Sequence, residues 1–281
     1  MRRKFLLLVA SLCCGVPPAS AAPACPAVTR VGLSDLGYAA YREQGRIAGI
    51  SVDIAREMAR RSGCKFEFHW YPRQRLFIEL AAGHIDMTMG SLRLPERDAY
   101  ADHLPYAWVQ YDLVLADPGT QHYTSLSDFV ARGTGRLNVT RGLAYDPAIE
   151  TQLARLAAAG RLEVVNDFET VFGKLEMGRA DGTLATPPIY SKYLKQSRLQ
   201  ARAAIVPLPE SAPRVTGIYL SRNTVPADTR QYYAAVVKAM LADQAVQGIF
   251  AHYFDDAAVK RAFKPGLAPL LNGLSTPDKP R

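Results

Sequence analysis

The chain predicts an α/β fold in two lobes, and three observations carry that prediction. Short apolar runs of period two alternate with longer runs of period 3.6. Glycines close the helical runs. The alternation breaks at an extended piece and the Pro118-Gly119 turn, then starts again. Strands alternating with helices build a sheet flanked by helices, not an all-helical or all-β protein.

Val28 to Ser34 is the first strand. From Ser51 to Arg61, the residues Ile54, Ala55, Met58 and Ala59 share one face at i, i+4 spacing with Arg and Glu opposite, and Gly63 stops the helix. Lys65 to Trp70 is a second strand, in which Phe66 and Phe68 alternate with charged neighbours. Arg75 to Ala82 is a helix closed by Gly83, and Ile85, Met87 and Met89 alternate with Asp86 and Thr88 in a third strand. Leu113 to Ala116 is extended. The second run follows: strand Leu137–Thr140, helix Asp146–Ala159 carrying Ile149, Leu153 and Leu156, strand Leu162–Val165, helix Phe168–Met177 and strand Gly182–Ala185. Gly217 to Ser221 is extended, and a long helix from Ala227 carries Tyr233, Val236, Val237, Met240 and Leu241 on its apolar face. The order predicts one lobe from residues 23–110 and 218–265, with 111–217 inserted as the second. Residues 266–281, rich in Pro, Gly and Leu without periodicity, are expected to form a loose tail.

Met1 to Ala22 reads as a secretory leader: Arg2, Arg3 and Lys4, an apolar run from Phe5 to Cys14, then Ala19-Ser20-Ala21 as a cleavage site. The apolar run is too short to span a bilayer, and Ala10-Ser11-Leu12 before Cys13 is a poor acylation site. Cleavage removes three of the 34 basic residues and none of the 26 acidic ones, so the net charge falls from +8 to +5. That excess is dispersed, which argues against a nucleic-acid surface. The expected fate of the chain is export. Cys25 and Cys64 then remain as an even pair in an oxidising compartment and are expected to bond. Closing a loop of about 40 residues contributes ~2–4 kcal/mol. The histidines are scattered without ligand spacing, so no metal or cofactor is expected.

The segment Gly49-Ile50-Ser51-Val52-Asp53-Ile54, followed by Ala82-Gly83-His84-Ile85-Asp86, Pro95-Glu96-Arg97, Pro105-Tyr106 and Gly178-Arg179-Ala180-Asp181, resembles the family 3 periplasmic solute-binding proteins, best known for polar amino acids. The resemblance runs from about Ala24 to Phe263. It implies a two-lobed periplasmic binding protein of type II, with two hinge crossings and a ligand between the lobes. Arg97 matches the arginine that pairs with a ligand carboxylate, a geometry suited to a guanidinium fork. Tyr38 falls where the family often stacks an aromatic on the ligand. The expected ligand set is Tyr38, Arg73, Gly90, Ser91, Arg97, Arg141, Gly142 and Thr186.

Several of these positions depart from the family pattern. Leu92 replaces a hydroxyl residue, Thr186 stands near the acid that would hold an α-ammonium, and Arg73 replaces an aromatic wall. Arg141-Gly142 keeps the anion-receiving turn, but Leu143 and Ala144 replace its hydroxyls. Three arginines without the acid suggest an anionic, carboxylate-bearing ligand with no required amino group. The resemblance implies a monomeric receptor that delivers a small solute to an ABC permease and performs no chemistry. Two other readings compete. One is a dehydratase-like enzyme on the same scaffold, with Asp35 or Glu79 as its acid. The other is a periplasmic adaptor or sensor partner of another protein.

Overall fold

The computed structural model describes residues 25–275; the leader and residues 276–281 lie outside the described residues. Strand β1 (Thr29–Leu33) is followed by a hairpin, β2 (Tyr41–Glu43) and β3 (Arg46–Ala48), that the sequence reading did not anticipate. Helix α1 (Ile50–Ser62) buries Ile50, Val52, Ile54, Ala55 and Met58, and ends where the Gly63 N–H donates to the Ala59 carbonyl. Asp53 in its first turn and Arg60 and Arg61 in its last complement the helix dipole. Next come β4 (Phe66–Trp70), α2 (Arg73–Ala81), β5 (Met87–Leu92), the single turn α3 (Pro95–Asp98) and β6 (Ala101–Val109). Helix α2 begins two residues earlier than its apolar spacing predicts, which puts Arg73 on its first turn. Strand β5 continues through Gly90 and Ser91 to Leu92.

The chain then leaves this body. Strand β7 (Asp112–Leu115), α4 (Leu126–Arg132), β8 (Leu137–Thr140), α5 (Pro147–Ala158), β9 (Leu162–Val165), α6 (Phe168–Glu176), β10 (Gly182–Ala185), α7 (Pro187–Lys195) and β11 (Ala204–Pro207) form the second. It returns through β12 (Arg214–Ser221), which joins the first sheet four residues before the expected boundary at Ile218. The core helices α8 (Ala227–Ala242) and α9 (Ala245–Ala251) follow, then α10 (Asp256–Phe263) and α11 (Ala268–Gly273).

Two five-stranded sheets result, ordered β4-β1-β5-β12-β6 and β11-β7-β10-β8-β9. In each, three strands run parallel, and the strand that arrives from the other body, β12 or β7, pairs antiparallel with both its neighbours. The two crossings are bonded to each other. The Gln110 Nε2 donates to the Ser211 carbonyl at 2.5 Å, and the Tyr111 N–H donates to the Ser211 hydroxyl at 3.0 Å.

The first body is packed around Val31, Met58, Met89, Ile218, Tyr233 and Val237, each at most 1% exposed. Fully burying such side chains is worth about 1.5–3 kcal/mol apiece before entropy is counted. Cys25 and Cys64 are bonded, as expected for the pair. The expected loose tail is corrected as far as Ser275. Leu270 of α11 is fully buried and Leu274 nearly so, both in the first core, because a Leu pair spaced by one turn finds an apolar strip beside β6. Aperiodic composition hid a helix only six residues long.

Candidate functional site

The carboxyl ends of the parallel strands of both sheets face one another, the position where ligands bind in open α/β sheets. Leu36 follows β1, Gly90 and Leu92 end β5, Gly142 follows β8 and Thr186 follows β10, and all five line one cavity of about 60 Å³ between the bodies. Arg73, Arg97, Tyr106, Tyr111, Leu143, Ile189, Thr216 and Phe250 contribute to the same wall.

Arg97 is 9% exposed, and its Nη1 donates to the Leu92 carbonyl at 3.3 Å. Its guanidinium carbon lies 3.4 Å from the centre of the Phe77 ring. Arg73 stacks over the same ring at 4.8 Å. It donates at 3.4 Å to the Ser34 hydroxyl and at 3.4 Å to the Gly90 carbonyl, and its Nε is buried without a partner. Arg73 as a whole is half-buried, but its Nε is fully enclosed. Among the described residues neither arginine pairs with a carboxylate. Desolvation pulls the Arg73 pKa down to about 10, helped by the positive charge of Arg97. Desolvation also lowers that of Arg97. Both remain charged at neutral pH. Desolvation pushes the phenol of Tyr111, on the same wall, up to about 12, so it is neutral.

The second body contributes little polarity. Thr186 caps α7 without a side-chain hydrogen bond, and Pro187 and Pro188 remove two N–H groups from the first turn. Gly142 has φ +82°, and a Cβ there would sit 3.2 Å from the Gln74 amide nitrogen of α2. The bodies touch at this point. They also touch where the Tyr38 N–H donates to the Pro188 carbonyl at 2.8 Å, and where the Tyr193 hydroxyl donates to Asp35.

The structure therefore gathers Arg73, Gly90, Arg97, Gly142 and Thr186 from the expected set and leaves three others outside the cavity. Tyr38 instead packs in an aromatic cluster, 6.0 Å from both Tyr41 and Tyr253, while Leu36 and Ala39 take the rim. Ser91 is fully buried with its hydroxyl donating to the Met89 carbonyl, because period two turns its side chain to the strand face opposite the one on which Gly90 and Leu92 line the cavity. Arg141 is exposed, and its turn lies several residues before α5 begins at Pro147, so no helix N-terminus is presented there. Arg93 pairs with Asp98 at 2.9 Å outside the cavity. Sequence reading missed Phe77, which sits one helical turn after Arg73, a spacing that could have flagged it. Phe250 arrives from α9, and no local signal marks it.

Neither acid suggested for a dehydratase lines the cavity. Asp35 accepts from the Gly37 N–H and Tyr193, and Glu79 pairs with Arg75 at 2.7 Å and His84 at 2.7 Å.

The sequence profile of the bacterial extracellular solute-binding proteins, family 3, matches residues 30–256. No curated protein sequence matches the chain. Among solved structures, an ancestral arginine-binding protein bound to arginine superposes with TM-score 0.69 at 20% identity, covering 82% of this chain and 99% of that one. The ancestral amino acid-binding protein AncCDT-1, a precursor of cyclohexadienyl dehydratase, gives 0.67 at 19% identity, over 82% and 96%. The substrate-binding protein of an amino acid ABC transporter gives 0.62 at 21% identity, over 84% and 99%. At such identity these likenesses establish the two-lobed fold.

Proposed function

The chain belongs to the bacterial extracellular solute-binding proteins, family 3, and from that premise we propose that it is the periplasmic receptor of an ABC-type importer. It would act as a monomer, closing on a small carboxylate-bearing solute and delivering it to a membrane permease without altering it. A cystine and an extracellular family support export. The single observation that carries the ligand class is the charge of the cavity: two buried guanidiniums and, among the described lining residues, no carboxylate. An enclosed ammonium would add a third unpaired cation at a cost of several kcal/mol, whereas a carboxylate relieves the existing ones. Closing the bodies excludes water and strengthens that pairing.

Thermal denaturation of the mature protein against monocarboxylates, 2-oxo acids and the twenty amino acids tests this. An amino-free acid is expected to raise the Tm by mass action, worth about 2.7 kcal/mol at a hundredfold excess over Kd. Recovery of that acid unchanged, and loss of its uptake in cells lacking the chain, complete the result. Tight binding of neutral or basic amino acids with no response to carboxylates would overturn the ligand class. Chemical conversion of the bound acid would favour the enzyme reading.

A further inference from the structure

Arg73 and Arg97 lie 4.8 Å and 3.4 Å from the centre of one ring, so their guanidinium carbons are within about 8 Å of each other. Each guanidinium has five N–H donors. Arg73 spends two on neutral oxygens at 3.4 Å and leaves Nε buried and bare, and Arg97 spends one on a carbonyl at 3.3 Å. Most of the donor capacity of both residues is thus unused. Two like charges held this close, both desolvated, repel one another, and one negative charge neutralises only half of the pair.

The remainder of the wall is mainly apolar, with Leu36, Ile50, Leu143, Ile189 and Phe250 around a volume of about 60 Å³. At ~10–15 Å³ per enclosed water, that space holds about four to six water-sized groups. That excludes a long side chain, and because even malonate has seven heavy atoms, a short dicarboxylate enters only if the two bodies part slightly around it.

We propose that the cavity takes a dianion, a short dicarboxylate without an amino group, with one carboxylate on Arg97 and the other on Arg73. This rests on the carboxylate-receptor reading and narrows it, and it makes Arg73 the residue that sets specificity. Phe77 is a positioning residue: its ring makes cation–π contact with both forks.

Titration calorimetry with malonate, succinate and glutarate, against propionate, butyrate and aspartate, tests the proposal. One of the dicarboxylates is expected to bind at least tenfold more tightly than either monocarboxylate, aspartate more weakly than succinate, and all binding to fall as salt rises. Arg73→Gln is expected to cost the dicarboxylate tenfold or more while leaving the monocarboxylates within threefold; Arg97→Gln should cost both. Arg73→Met guards against misfolding, because removing a buried unpaired cation should hold or raise the Tm of the free protein. It should also abolish the Tm rise given by the dicarboxylate. If monocarboxylates match the best dicarboxylate, or Arg73→Gln weakens both classes equally, the dianion is wrong and the carboxylate receptor stands. If none of the six acids binds, both readings fall.

Discussion

His103 lies on β6, 8% exposed, its Nε2–H donating to the Ser91 carbonyl at 3.0 Å and its ring 4.7 Å from Tyr219. Desolvation lowers its pKa from 6.5 to about 4. The folded chain holds it neutral, while the unfolded chain takes up a proton below about 6.5, so its contribution is complete above that value. It drains as pH falls towards 4, by about 3 kcal/mol in all. His103→Gln, which keeps a donor for Ser91, is expected to flatten the acid limb of a Tm-against-pH curve between 6.5 and 4. An unchanged limb would mean that His103 protonates freely in the fold. Reading single residues from sequence worked where the backbone motif is local. Arg97 follows a Pro-Glu pair that starts a helical turn, and it points into the cleft as the resemblance implies. It failed for Ser91 and Tyr38, whose identity suits a ligand but whose side chains turn into packed protein.

The loop after β1 and the start of α7 form the seam that joins the two bodies. Gly37 has φ +61°, and a Cβ there would come within 2.3 Å of the Pro188 carbonyl oxygen, so only glycine lets the strands' ends approach this closely. Around it, Tyr38 bonds to Pro188, Asp35 to Tyr193, and Lys192 lies 5.5 Å from the Tyr41 ring. Desolvation raises the Asp35 pKa, so the shut seam favours its neutral form and weakens as pH rises through that raised value. Gly37→Ala is expected to hold the bodies apart. Small-angle scattering should give a larger radius of gyration than the parent, with circular dichroism unchanged and ligand affinity reduced. A scattering curve identical to the parent's would show that the seam does not govern closure. The elements on either side were legible because α1, β4 and α6 carry clean periods, whereas the seam was not. Leu36-Gly37-Tyr38 and Pro187-Pro188 have no periodicity, and they meet only through the fold.

Across the whole molecule, the Cys25–Cys64 bond spans 39 residues and ties the chain's first described residue to the end of α1. Cys64→Ser is expected to lower stability by about 2–4 kcal/mol in urea unfolding, while ligand affinity in the folded state stays close to that of the parent because the cavity lies elsewhere. Loss of affinity without loss of stability would place the cystine in the binding machinery instead. The place of Arg97 was what a family resemblance implied; the sequence by itself determined the α/β class, the two successive runs and the cystine. All of these are written in local period, spacing or composition, which neighbouring residues impose on one another. Only the tertiary structure decided that Arg73 and Arg97 share one aromatic ring, that Arg141 stays in water, and that residues 268–273 pack as a helix. Those outcomes depend on which surfaces two folded bodies bury against each other, and burial, unlike period, is a property of the closed shape.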